Sequence, residues 1–129
     1  MHSVESKNET GKSLINAWIE EAKVGGPTRN WAGEHRFPRF TWSAQLDVHV
    51  RSGLRPRMVL ATARDVSRTG LGFFCRESLP LYARVTVCRA GERTGLPAKI
   101  VSRTLTIGGY IIGVEFIVED PAAAKAAVA

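Results

Sequence analysis

The clearest pattern in the chain is a strict alternation from Phe40 to Val50. Phe40, Trp42, Ala44, Leu46, Val48 and Val50 are apolar, and Thr41, Ser43, Gln45, Asp47 and His49 between them are polar. A period of two sends the two sets to opposite faces of a β-strand, so the segment reads as a half-buried strand. Ser52-Gly53 turns it. Five further short runs follow, at Met58 to Val66, Leu71 to Arg76, Arg84 to Arg89, Ala98 to Thr104 and Tyr110 to Val118. Turn-forming stretches separate several of them: Ser67-Arg68-Thr69-Gly70, Ala90 to Gly95, and Ile107-Gly108-Gly109. Six short strands with such connections predict a mainly β fold, an antiparallel barrel or sandwich. Closure into a barrel would remove exposed strand edges.

Upstream of Phe40 the period changes. Leu14, Ile15, Trp18, Ile19 and Ala22 recur at helical spacing, with Glu20, Glu21 and Lys23 opposite. Ser13 can cap a short helix there, and Gly25-Gly26-Pro27 stops it. The apolar stripe is expected to pack on the barrel, with a second copy of the chain as the alternative partner. Residues 1–12 are polar and predicted to be unstructured. Residues 25–39 form a linker rich in Gly, Pro and basic residues. At the far end, Asp120-Pro121 can cap a short Ala-rich helix or begin a frayed tail. The organisation is therefore an appendage over 1–33, a β domain over 34–118, and a tail over 119–129.

Length and charge narrow the class. The chain has 129 residues, enough for one domain with a real core and no need of disulfide staples. Lys plus Arg number 18 against 12 Asp plus Glu, a net +6 carried mostly by arginine. That balance favours anionic partners, and arginine suits bidentate contacts to phosphate or guanine. Cys75 and Cys88 lie in apolar runs and match no metal or CxxC spacing, so they read as buried free thiols in a reducing compartment. No apolar segment approaches the ~20 residues of a membrane span, and the N-terminus has no signal-peptide core. The expectation is a cytoplasmic protein with no membrane insertion.

The candidate chemistry is split between two segments. His35-Arg36-Phe37-Pro38-Arg39, just before the alternating strand, offers fixed positive charge on a backbone stiffened by Pro38. Asp65-Val66-Ser67-Arg68-Thr69-Gly70 offers a carboxylate, a hydroxyl and backbone N–H groups in a tight turn. Taken singly, the first is also what a solvated basic linker looks like, and the second what an ordinary turn looks like. Taken together they describe a site for an anion that also carries hydrogen-bonding base edges. Arg36 and Arg39 could grip phosphates or guanine O6 and N7, and Asp65 could accept from guanine N1–H and its exocyclic amine. A phosphate ester of guanine fits both halves.

At these residues the chain resembles the PilZ domain family, bacterial receptors for cyclic di-GMP. The family pattern is similar: an RxxxR stretch before the first strand, then a D/N-x-S-x-x-G turn leading into the third. Asp65, Ser67 and Gly70 match the second motif in full, and Leu71-Gly72-Phe73 behind them is family-like. Lys99 to Arg103 and Tyr110 to Phe116 are similar to the closing strands. The resemblance covers residues ~34–118 and implies a six-stranded antiparallel barrel of the split-barrel type, to which the residue pattern adds a short N-terminal helix and a short C-terminal helix or frayed tail. It implies cyclic di-GMP as ligand, held by His35, Arg36, Arg39, Asp65, Ser67 and Gly70, with the 35–39 arm closing on the barrel and the signal passing to a protein partner. The family takes one or two intercalated ligand molecules. In one respect the chain departs from the pattern. His35 stands where the first arginine is expected, with Glu34 before it, and a neutral imidazole offers one N–H donor and no fork. The alternative that follows is a degenerate PilZ adaptor, binding no nucleotide and working through protein contacts in pilus, flagellar or exopolysaccharide systems.

Other classes find less support. The histidines are His2, His35 and His49, and no Ser–His–acid, Cys–His or metal-ligand arrangement suggests itself by position. Gly91-Glu92-Arg93-Thr94-Gly95 lacks the Gly-Lys-Ser/Thr ending of a phosphate loop. The chain therefore reads as a binding module with no cofactor, not as an enzyme. Nucleic-acid binding is disfavoured because the basic residues are scattered over turns, with no run of aromatics for base stacking. Trp42 falls in the inward phase of the first strand, and Trp31 in the arm is expected to cover the barrel.

Overall fold

Seven strands form one antiparallel sheet in the computed structural model, which describes residues 3–25, 38–51 and 55–117. They are β1 (Phe40–Thr41), β2 (Gln45–Val50), β3 (Arg57–Val66), β4 (Gly70–Cys75), β5 (Arg84–Arg89), β6 (Gly95–Thr106) and β7 (Gly109–Phe116). The hydrogen-bonded order is β1-β3-β2-β5-β6-β7-β4, and β4 pairs back onto β3. Six strands therefore close the expected antiparallel barrel, and β1 is an extra short strand that continues the line of β2 along β3. The helix α1 (Ser3–Ala22) precedes them and runs into a 3-10 turn over Lys23–Gly25.

The alternating segment keeps its phase but not its continuity. Trp42, Ala44, Leu46, Val48 and Val50 are all buried, as the pattern predicts. The single strand expected over 40–50 is nonetheless two strands. Thr41 pairs with Asp65 and Gln45 with Thr62, so this segment carries one more residue than its partner across the break. An unequal count of this kind lifts residues out of the ladder while their side chains still fill the core. The break is held by Trp42 N–H donating to the Arg64 carbonyl at 2.9 Å and Ala63 N–H donating to the Ala44 carbonyl at 2.7 Å.

The helix is longer than its apolar stripe. It begins at Ser3, not at Ser13, so most of the segment expected to be unstructured is helical. Extending a helix that already has a docked turn adds one backbone bond per residue fixed, a far smaller cost than nucleating one. The helix stop expected at Gly25-Gly26-Pro27 is reached through the 3-10 turn, whose last residue is Gly25. Gly26, Pro27, Trp31 and the Asp120-Pro121 cap lie outside the described residues.

Ile15, Trp18, Ile19 and Ala22 are buried in the same cluster as the barrel residues, so the stripe packs on the barrel. The Trp18 ring lies 5.2 Å from the Trp42 ring and 6.3 Å from Phe116, centroid to centroid. Glu21 pins the same contact, accepting from Trp42 Nε1 at 2.8 Å and pairing with Arg89 at 3.0 Å. Trp18 Nε1 is buried without a hydrogen-bond partner. Cys75 and Cys88 are buried free thiols, and burial pushes both thiol pKa values up from the ordinary 9.0. No helix among the described residues is long and apolar enough to cross a membrane.

Candidate functional site

A register shift aims the central carboxylate. Along β3, Val59, Ala61 and Ala63 face the core. Strict alternation would send Asp65 inward after them. Instead the pairing of β3 with β4 shifts between Ala63, opposite Phe73, and Asp65, opposite Gly72. Arg64 is the extra residue. The shift swaps the phase: Val66, opposite Leu71, now faces the core, and Asp65 falls in the outer row with Gly72. Bulges beside functional sites commonly re-aim a side chain in this way.

Gly72 leaves the space that the carboxylate occupies. A Cβ on Gly72 would stand 3.1 Å from Asp65 Oδ1 and 3.3 Å from Oδ2. Asp65 is 8% exposed, and its charge is met by Arg39, the last residue of the arm before β1. Arg39 Nε donates to Asp65 Oδ1 at 3.1 Å, and Nη2 donates to the same oxygen. The side chains are 13% and 11% exposed, so the pair is largely withdrawn from water. Arg39 also makes a further contact beyond this pair. Two residues 26 positions apart are thus joined directly.

The turn that follows locks itself. Ser67 is 1% exposed, and its N–H donates to the Gly70 carbonyl at 2.8 Å. Its Oγ lies 3.3 Å from that same carbonyl and accepts from Thr69 N–H, also at 3.3 Å. Thr69 O in turn accepts from Phe116 N–H at 2.8 Å, tying the turn to the end of β7. In this state the Ser67 hydroxyl holds the turn's shape. Gly70 is required for packing: a Cβ there would lie inside the contact shell of the Val114 carbonyl and 3.3 Å from Glu115 Cα. Its backbone is not left-handed, so the conformational reason that a turn glycine suggests does not apply at this position. Among the described glycines, positive φ occurs at Gly91 and Gly108.

Of the six residues expected to bind ligand, four are therefore gathered at one end of the barrel: Arg39, Asp65, Ser67 and Gly70. His35 and Arg36, like Glu34, lie outside the described residues. Sequence reasoning passed over Gly72 as a site residue. The available signal was the break in β3 alternation, where Ala63 and Val66 cannot both face inward without an extra residue between them.

A cavity of about 350 Å³ is lined by Pro38 and Phe40, the chain neighbours of Arg39, and by Arg68 of the turn, although Arg39, Asp65, Ser67 and Gly70 are not themselves on its lining. A larger outer groove of about 500 Å³ runs along Met58, Leu60, Thr62 and Phe74 and includes no residue of the 35–39 or 65–70 segments. The smaller cavity is the better candidate because residues from both motif segments, Pro38 and Arg68, border it together with charged side chains. Chemically, the arrangement offers guanidinium donors for an anion and a preset carboxylate acceptor for paired N–H donors. Among the described residues, no group of three or more His, Cys, Asp or Glu could hold a metal ion.

A model of the PilZ domain family matches residues 34–129, well over half of the chain. No curated protein sequence matches it.

Proposed function

The chain belongs to the PilZ domain family, whose members bind cyclic di-GMP or act as adaptors, and we propose that this one is a cyclic di-GMP receptor. The observation that carries the proposal is the Arg39–Asp65 pair, which joins the two sequence-distant halves of the motif at one barrel end. In the receptor, Asp65 accepts from guanine N1–H and the exocyclic amine, and Arg39 turns its fork to a ligand phosphate. The ligand thus replaces one charge-assisted contact with several. Arg36 adds a second guanidinium from the arm, and His35 supplies a single donor. The Ser67–Gly70 turn presents its backbone at fixed geometry because its own polar groups are already paired. Closure of the 35–39 arm then changes the surface seen by a protein partner. The setting is the bacterial cytoplasm, where this messenger is made.

Calorimetric titration with cyclic di-GMP tests the proposal. Wild type is expected to bind, and Arg39→Ala and Asp65→Ala are each expected to abolish binding while keeping a β-rich circular-dichroism spectrum. Unchanged affinity in either folded variant overturns the assignment. The second reading, a nucleotide-free adaptor, is favoured by His35 and Glu34 at the head of the arm. Losing a bidentate contact weakens affinity by about 1–3 kcal/mol, roughly 5- to 150-fold. His35→Arg separates the two readings: heat from the variant alone marks a degenerate site, and binding by both proteins marks a working receptor.

A further inference from the structure

The cavity bordered by Pro38, Phe40 and Arg68 also takes lining residues that belong to no family motif. Asn16, Ile19 and Glu20 of α1 and Lys23 of the following turn share its lining with Phe40 and Arg68. We propose that α1 is part of the nucleotide site, with Lys23 as a phosphate contact and Asn16 as a hydrogen-bonding contact to the same ligand. The inference rests on the receptor reading and adds residues to that site.

Three observations carry it. First, the wall is fixed. Trp18 and Ala22 are 2% exposed, Ile15 and Ile19 are also buried, and Glu21 bonds both Trp42 and Arg89. A helix anchored on one face in this way holds the backbone of its neighbouring residues in place for a ligand, so that only their side chains remain to be ordered. Second, the space suits a piece of a nucleotide. A volume of about 350 Å³ lies at the lower end of small-molecule pockets, enough for one base or one phosphodiester of a larger ligand. Third, the charge is of the right kind. Lys23 and Arg68 contribute cations from two different elements, and Glu20, the one acid among the described lining residues, pairs with Lys23 at 3.1 Å. An incoming phosphate competes with Glu20 for that ammonium. Asn16 presents an amide that can both donate and accept.

The Lys23–Glu20 pair makes a decisive test possible, because two variants break it in opposite electrical senses. Lys23→Ala removes a cation from the cavity, and Glu20→Gln removes an anion. If the pair merely stabilises the helix end, both variants act alike. If the cavity receives phosphate, they act oppositely. The experiment is calorimetric titration of full-length wild type, Lys23→Ala, Glu20→Gln and Asn16→Ala with cyclic di-GMP, each with a melting curve. Lys23→Ala is expected to weaken binding roughly three- to tenfold, a modest effect because its side chain is 51% exposed. Glu20→Gln is expected to tighten binding about twofold or more, and Asn16→Ala to weaken it, with melting temperatures close to wild type. Wild-type binding with the two charge variants unchanged, or shifted in the same direction, overturns this inference and leaves the receptor reading intact. Absence of binding by wild type overturns the receptor reading and this inference together.

Discussion

Breaking the Arg39–Asp65 pair should destabilise the barrel by an amount that identifies the pair as buried. The Nε–Oδ1 distance is 3.1 Å, and the two side chains are 13% and 11% exposed. At an effective dielectric near 20, opposite charges about 4 Å apart attract by about 4 kcal/mol, before the opposing cost of desolvation. Removing one partner from a buried pair strands the other, typically at ~3–5 kcal/mol. Residual exposure lowers that to about 2–4 kcal/mol for Arg39→Met or Asp65→Ala. The double variant strands no charge, so its loss should fall short of the sum of the singles by about 2–3 kcal/mol. Urea denaturation followed by far-UV circular dichroism, with equal m-values across the four proteins, measures this coupling. Additivity within ~0.5 kcal/mol would refute the reasoning, because that is the behaviour of a solvated surface pair.

Two further outcomes follow from the packing. Gly70→Ala should cost about 1–3 kcal/mol or more, since backbone of β7 must move, whereas Gly72→Ala should cost less than about 1.5 kcal/mol yet still lower affinity for cyclic di-GMP by displacing the Asp65 carboxylate; equal stability losses in the two variants would contradict the account. Trp18→Ala should cost ~3–5 kcal/mol, because the ring bridges α1 to Trp42 and Phe116, while Trp18→Phe should cost far less by also removing an unpartnered buried donor; a thermal melt in which the two variants match would argue against helix docking through this ring.

Much of the barrel was legible because its strands are amphipathic. Inward Trp42, Ala44, Leu46, Val48 and Val50 follow from alternation alone, and the apolar stripe around Trp18 follows from helical spacing. The start of α1 was hidden because residues 3–12 carry no stripe, and their helicity depends on the docked turns that follow. The split at Trp42 to Ala44 was hidden because an unequal residue count leaves no mark on one strand read without its partner. The site was legible in its letters and not in its geometry. Arg39 and Asp65 were both candidates for ligand contacts, yet their mutual pairing depends on how β1 lies along β3. Ser67 and Gly70 were recognisable as turn residues, but the reason for Gly70 is the nearby Val114 carbonyl, which belongs to a strand far along the chain.

The extra residue at Arg64 makes the site a matter of counting as well as of identity. Delete it, and every letter of the turn motif survives; β3 would even alternate regularly, with Ala63 and Val66 inward and Asp65 still in the outer row opposite Gly72. The loss falls on the other edge of the strand. Trp42 N–H donates to the Arg64 carbonyl, and without that residue Trp42 to Ala44 would stand opposite Ala63 alone. The break before β2 would have to widen or β1 would slide along β3, and either moves Arg39 away from Asp65. Substitutions at Arg64, whose side chain is exposed, should by contrast pass almost unnoticed. In this segment, then, a position tolerant of nearly any residue sets, by its presence, where the arm meets the barrel.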